Sequence, residues 1–145
     1  MTDNQTSHNL TELRQQRIAQ LKANMEQRIH ILDGGMGTLI QSHQLEEPDY
    51  RGERFADLVQ EVKGNNDLLV ITQPEIIAGI HRQYFMAGAD IVETNTFNST
   101  RVSQADYQLE ALVPELNTAA AALARKVAEA WLEEREALGF PLCSN

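Results

Sequence analysis

The chain has 145 residues and a formal net charge of −9, so it can form one hydrophobic core but lacks the basic excess that nucleic-acid binding needs. Hydrophobic residues make up 42 % of it, as in globular proteins, and no apolar run approaches a membrane span. The polar start lacks a signal-peptide core, and Cys143 is the single cysteine. The sequence therefore predicts a cytoplasmic protein that binds neither nucleic acid nor membrane.

The first part of the chain predicts a disordered start, a helix and a strand. Residues 1–9 are polar, and residues 10–25 have helical periodicity. One face of this helix collects the apolar residues Leu13, Ile18, Leu21 and Met25. The helix is expected either to cover an end or edge of a sheet or to lie on the surface as an ordinary helix. An apolar run then predicts the first strand at residues 28–32.

A glycine-rich turn follows this strand and begins with a carboxylate. Asp33 precedes Gly34, Gly35 and Gly37, and glycines let a backbone turn sharply and approach a ligand closely. Ligands bind at the carboxyl ends of parallel strands, so Asp33 is a candidate for binding a cationic group such as a substrate ammonium. The same residues are also typical of an ordinary turn. Both interpretations stay open on these residues alone.

A long connection and a second helix come next. A connection as long as residues 39–71 is more often functional or ligand-covering than idle. Thr72 and Glu75 have the spacing of a capping box at the start of a helix, and Gly88 is placed to end it in a left-handed conformation. His81 is expected to be a partly exposed helix residue. The predicted apolar face consists of Ile76, Ile77, Ile80, Tyr84 and Ala87.

The predicted second strand covers residues 90–97 and is rich in β-branched residues. Its far end carries the polar residues Glu93, Thr94, Asn95 and Thr96. Polar groups on a buried strand must pair internally or meet a ligand, and the sequence does not decide between these. A last helical region begins near Ser103 and is kinked or restarted at Pro114. Two strands joined by a helix predict parallel pairing. Because two strands are too few for a complete parallel sheet, the chain is expected to form the first part of a larger α/β domain.

Five sequence motifs resemble the homocysteine-binding domain of homocysteine S-methyltransferases, and in particular its cobalamin-dependent methionine synthase branch. The resemblance covers residues 10–133, nearly all of the chain. The motifs are ILDGGMGT at residues 31–38, YRGERF at 50–55, KGNNDLL at 63–69, GADIVETNTFNST at 88–100 and ADYQ at 105–108.

This resemblance implies a fold and a reaction. The fold would be α/β, the first part of a (β/α)8 TIM-type barrel with an N-terminal helix, incomplete in this chain because such a barrel takes about 250 residues. Residues 10–134 would form the N-terminal portion of the homocysteine-binding domain, and residues 135–145 an irregular tail. The reaction would be methyl transfer from methylcobalamin to the thiol of homocysteine, which gives methionine. Methyltetrahydrofolate and cobalamin modules of the full-length protein would be the partners.

The resemblance also implies site residues. Asp33 matches the aspartate that contacts the substrate amino group, and Thr94 matches a residue at the substrate of a related betaine-using enzyme. The turn at Gly34 and Gly35 would lie beside the amino-acid moiety, and Glu93 and Asn95 are included as the neighbours of Thr94. The full expected set of substrate-binding residues is Asp33, Gly34, Gly35, Glu93, Thr94 and Asn95.

The chain lacks the zinc-binding cysteines of the family that it resembles. The family binds the homocysteine sulfur to zinc through three cysteines, and zinc keeps the bound thiol deprotonated. The matching cysteine motifs are absent here, and Cys143 alone cannot form such a site. Ligands for zinc and methylcobalamin are therefore expected to be missing from this chain. It would be a fragment that is active only in the full-length protein or, alternatively, a catalytically inactive truncated product or a homocysteine-binding remnant. A phosphate cradle at residues 33–37 is disfavoured, because neither the Rossmann spacing nor a following Lys-Ser/Thr is present.

Overall fold

In the computed structural model, the backbone is described for residues 3–139 and the side chains for residues 11–139. The described residues fall into two compact units, one up to His30 and one from Ile31 onward. The first unit contains helix α1 (Asp3–Gln27), which includes the predicted helix and begins earlier than expected. No described helix is both long and apolar enough to cross a membrane. Of the predicted irregular tail at residues 135–145, residues 135–137 are helical, and residues 140–145, with Cys143, lie outside the described residues.

The two predicted strands do not form. Within residues 3–139 there is one isolated parallel bridge, between Leu32 and Ile91, where the Asp33 amide donates to the Ile91 carbonyl at 2.9 Å. The expected α/β class, the first part of a (β/α)8 barrel, is therefore wrong for the described chain, which is helical. Parallel strands are stable when both faces are covered, whereas Ile31 and Leu32 are 55 % and 52 % exposed.

The second unit is a helical assembly. Its described helices are α2 (Met36–Ser42), α3 (Glu47–Arg51), α4 (Leu69–Thr72), α5 (Pro74–Met86), α6 (Arg101–Ala105) and α7 (Val113–Ala137), with 3₁₀ turns at Asn66–Leu68 and Glu110–Leu112. Helices α4, α5 and α7 pack against one another, and α2 packs on α5. Their buried face includes Leu69, Ile77, Ile80, Leu116 and Ala120, whose spacing of three or four residues within α5 and α7 is that of one helical face.

Helix α5 confirms one predicted end and not the other. Gly88 follows it with φ of +101°, the left-handed conformation expected of a glycine after a helix. At the other end, Gln73 and not Thr72 is the N-cap, and Pro74 is the first helical residue. The predicted capping box is wrong because Thr72 already ends α4, where its hydroxyl donates to the Leu68 carbonyl at 3.4 Å.

An ion pair between Arg51 and Glu47 helps to order the long connection. The Arg51 Nε donates to the Glu47 carboxylate at 2.6 Å, and the Arg51 guanidinium also donates to the Gln60 carbonyl at 3.1 Å. Glu47 in turn accepts from the Val62 amide at 3.0 Å. Burial alone would raise the pKa of Glu47, but the hydrogen bonds from Val62 and Arg51 outweigh it and lower that pKa. This arrangement fixes the chain just before the segment that reaches the cleft described next.

Candidate functional site

One acidic cleft of about 510 Å³ collects the candidate residues. Three segments line it, residues 33–37, 66–67 and 93–98. All six site residues expected from the sequence lie on this lining. The structure thus brings together two segments about sixty positions apart, without the sheet that was expected to do so.

Asp33 connects two of these segments directly. Its two carboxylate oxygens both accept from the Glu93 amide, each at 3.1 Å. None of the described residues that line the cleft is basic, while Asp33, Asp67 and Glu93 are acidic. Uncompensated carboxylates produce a negative potential, which favours a cationic group over an anionic one.

The glycines after Asp33 do not need their special backbone freedom. Gly35 is the N-cap of α2 with φ of −59°, and the φ of Gly34 lies outside the left-handed region. A Cβ at Gly34 would lie 3.4 Å from the Tyr84 hydroxyl, which is ordinary contact, whereas one at Gly35 would lie 3.2 Å from the Thr38 hydroxyl, which is tight. The expected sharp glycine turn is therefore not what requires glycine at Gly34 and Gly35, and a small residue is favoured only at Gly35, next to Thr38.

The polar run after the bridge divides into paired and open groups. The Asn95 side chain is buried, and its Nδ2 donates to the Asn66 carbonyl at 2.7 Å. The hydroxyls of Thr94 and Thr96 lie 2.7 Å apart and share a hydrogen bond. Glu93 and Thr94 are exposed on the cleft lining. The hydrogen bond to Asn66 thus accounts for the buried Asn95 side chain, whereas the exposed Glu93 side chain is available to contact a ligand.

Sequence reasoning missed Asn66 and Asp67, which also line the cleft. Asp67 is 2 % exposed, and its Oδ1 accepts from the Asn98 amide at 2.9 Å and from the Ser99 hydroxyl at 2.7 Å. The sequence offers one signal, because the polar residues 65–67 come directly before the apolar run of residues 68–71. Polar residues enclosed by core positions must find partners.

His81 lies on α5 and is fully buried, so its predicted partial exposure is wrong. Neither ring nitrogen has a hydrogen-bond partner among the described residues. Burial lowers the pKa of His81 below 6.5, because it disfavours the charged imidazolium, and the negative charge of Asp33 offsets part of this effect. The imidazole is therefore neutral at pH 7 and contributes no positive charge near the cleft.

This burial predicts a pH-dependent stability. As pH falls below 6.5, the unfolded chain binds a proton at His81 more readily than the folded chain does, so the free energy of unfolding decreases. His81→Leu removes this titration and loses no hydrogen bond, so we expect a flatter dependence between pH 7 and pH 5 in urea denaturation. His43→Gln is the control, because His43 is exposed. An unchanged pH dependence in His81→Leu would show that other groups cause it.

The described residues do not fit a zinc site. Among the side chains of residues 11–139, no three histidine, cysteine, aspartate or glutamate side chains are placed to hold a metal. Zinc favours nitrogen and sulfur ligands, and the carboxylates of Asp33 and Asp67 already accept backbone hydrogen bonds. Metal binding by the cleft as it stands is therefore not supported.

The sequence comparison agrees with the motifs that build the cleft. A family model for homocysteine S-methyltransferases matches residues 30–140. The match covers well over half of the chain and includes every residue that lines the cleft. The chain belongs to the homocysteine S-methyltransferase family.

Proposed function

We propose that the acidic cleft binds the amino-acid part of homocysteine and that this chain takes part in methyl transfer to the homocysteine thiol. The observation that carries the proposal is the Asp33 carboxylate, which the Glu93 amide fixes on a cleft whose described lining contains no basic residue. A carboxylate held in this way is suited to a substrate ammonium, since charge-assisted hydrogen bonds are the stronger ones.

The remaining residues have subordinate roles in this proposal. The backbone at Gly34 and Gly35 lies on the cleft lining and would pass beside the amino-acid moiety. Thr94 and Glu93, both exposed there, would contact the substrate, and Asn95 would act mainly by fixing the wall through Asn66.

The described residues would bind and orient homocysteine without activating it. Thiolate is the nucleophile, and a free thiol is largely protonated at pH 7, with a pKa of about 8.5. Among residues 11–139, neither a set of metal-binding side chains nor a basic side chain on the cleft lining is present to lower the pKa of the thiol. We therefore place thiol activation on residues outside this described part of the protein.

The proposal extends to the donor and to the setting. The motifs at residues 50–55 and 63–69 favour methylcobalamin as donor and a methionine synthase with methyltetrahydrofolate and cobalamin modules. Residues 10–134 would be the portion of the homocysteine-binding domain present here. A cytoplasmic setting rests on the composition of the sequence alone.

A second candidate is a homocysteine-binding remnant without enzyme activity. It is favoured by one observation, the lack of any metal-binding group among residues 11–139. It shares the acidic cleft with the first candidate and differs from it only in turnover.

Methionine formation tests the proposal. We would incubate the protein as the cell makes it with homocysteine, zinc and either methylcobalamin or betaine, and assay the 145-residue chain in parallel. We expect methionine from methylcobalamin with the cellular protein and none with the chain alone. Methionine from betaine only would refute the proposed branch, and none from either donor would favour the remnant. Turnover by the chain alone would refute the proposed division of roles.

A further inference from the structure

A cluster of buried polar residues joins the long connection to residues 93–98, the lining segment that forms one wall of the cleft. Asp67 accepts from the Asn98 amide and from the Ser99 hydroxyl through the same oxygen, Oδ1. Within the part of the chain that the structure describes, no basic side chain pairs with Asp67. The Asp67 carboxylate therefore acts as a hydrogen-bond acceptor for Asn98 and Ser99.

A second side chain holds Asn98 through its backbone carbonyl. Gln104 is fully buried, and its Nε2 donates to the Asn98 carbonyl at 3.1 Å. Gln104 also forms a reciprocal amide pair with Asn65, with N–O distances of 2.8 and 3.1 Å. Both backbone polar groups of Asn98 are thus fixed, its amide by Asp67 and its carbonyl by the Gln104 side chain together with the Thr100 amide, which donates to it at 2.8 Å.

Gln104 belongs to this cluster but lies outside the cleft lining. Asn98 lines the cleft, whereas Gln104 does not. An effect of Gln104 on binding would therefore pass through the placement of the wall. Asp67 lines the cleft as well, so its role needs a test that separates acceptor strength from charge.

We propose that Asp67 and Gln104 are positioning residues, which set the affinity of the cleft by holding the Asn98 backbone in place. This inference rests on the proposed binding of homocysteine. The required property of Asp67 is an acceptor oxygen, not its negative charge. The Asn66–Asn95 hydrogen bond, at 2.7 Å, ties the same two segments and is expected to assist.

The test compares three variants of the full chain in calorimetric titration with L-homocysteine. Asp67→Ala removes the acceptor and is expected to weaken binding about 10-fold or more, since hydrogen bonds to charged groups are worth about that. Asp67→Asn keeps an acceptor oxygen and is expected to bind within about 3-fold of the wild type. Gln104→Met keeps the length of the side chain without its hydrogen bonds and is expected to weaken binding like Asp67→Ala.

A stability control separates positioning from a general loss of structure. Ala120 lies in the core face of α7, so Ala120→Gly should lower the midpoint of urea denaturation while leaving homocysteine affinity unchanged. Amide hydrogen exchange without ligand gives a second readout. The amide of Asn98, which donates to Asp67, should exchange faster in Asp67→Ala and at the wild-type rate in Asp67→Asn.

Each result decides the inference. Equal weakening by Asp67→Asn and Asp67→Ala would overturn it, because charge would then be the requirement, as would wild-type affinity in Gln104→Met. If Asp67→Ala does not fold, Gln104→Met and Asp67→Asn decide by the same readouts. If the wild type does not bind homocysteine, the proposed function fails, and the exchange rates alone decide whether Asp67 holds the wall.

Discussion

Asp33→Ala is expected to weaken homocysteine binding by about 10- to 100-fold, which corresponds to about 1.5–3 kcal/mol for a hydrogen bond to a charged group. The variant removes the carboxylate proposed to bind the substrate ammonium. Calorimetric titration of the chain measures the affinity. In the protein as the cell makes it, zinc content should stay unchanged, because Asp33 is not proposed as a metal ligand.

Asp33→Asn is the matched control for this prediction. Asparagine keeps an oxygen that can accept from the Glu93 amide, so the local structure at the bridge is retained while the charge is lost. We expect Asp33→Asn to weaken binding nearly as much as Asp33→Ala. Wild-type affinity in Asp33→Asn would show that the carboxylate only fixes Glu93, and a parallel loss of zinc and activity would likewise make Asp33 a structural residue.

Leu116→Ala is expected to lower the free energy of unfolding by about 2–5 kcal/mol, since the change leaves a cavity in a packed core. Leu116 is 0 % exposed on α7 and belongs to the same core as Ile77 and Ile80 of α5. Urea denaturation should show a lower midpoint with an unchanged slope. A loss below about 1 kcal/mol would contradict the packing of α7 described above.

Leu132→Ala provides the comparison on the same helix. Leu132 is 48 % exposed, and the substitution has the same effect on helix propensity as Leu116→Ala. We expect it to cost clearly less than Leu116→Ala, about 1 kcal/mol or less. Equal losses at the two positions would mean that burial does not control the stability of this helix.

The three long helices, α1, α5 and α7, were predictable from the sequence because their determinants are local, whereas the short helices α2, α3 and α4 were not predicted. The stripe of Ile77 and Ile80, the positive φ of Gly88 and Pro114 in the first turn of α7 all agree with the sequence patterns. The strands were not predictable in the same way. Residues 90–97 have strand composition, but a strand also needs partners on each side, and only the Leu32–Ile91 bridge is present in the described chain.

The candidate site was partly predictable for a related reason. The motifs around Asp33 and Glu93 mark polar residues next to apolar runs, and the structure places them on one cleft. Asp67 and Gln104 were missed because their role depends on hydrogen bonds between segments more than thirty positions apart. The burial of His81 agrees with its position four residues after Ile77, on the apolar face of α5, although histidine as a residue type is often partly exposed.

The most direct test of the account is a nuclear magnetic resonance titration of the isotope-labelled 145-residue chain with L-homocysteine in the presence of a chelator. The account predicts that shifts concentrate in the amides of residues 33–35 and 93–95 and persist without zinc. Shifts located elsewhere, binding that appears only when zinc is added, or no shifts at all would contradict the assignment of this cleft as the homocysteine site.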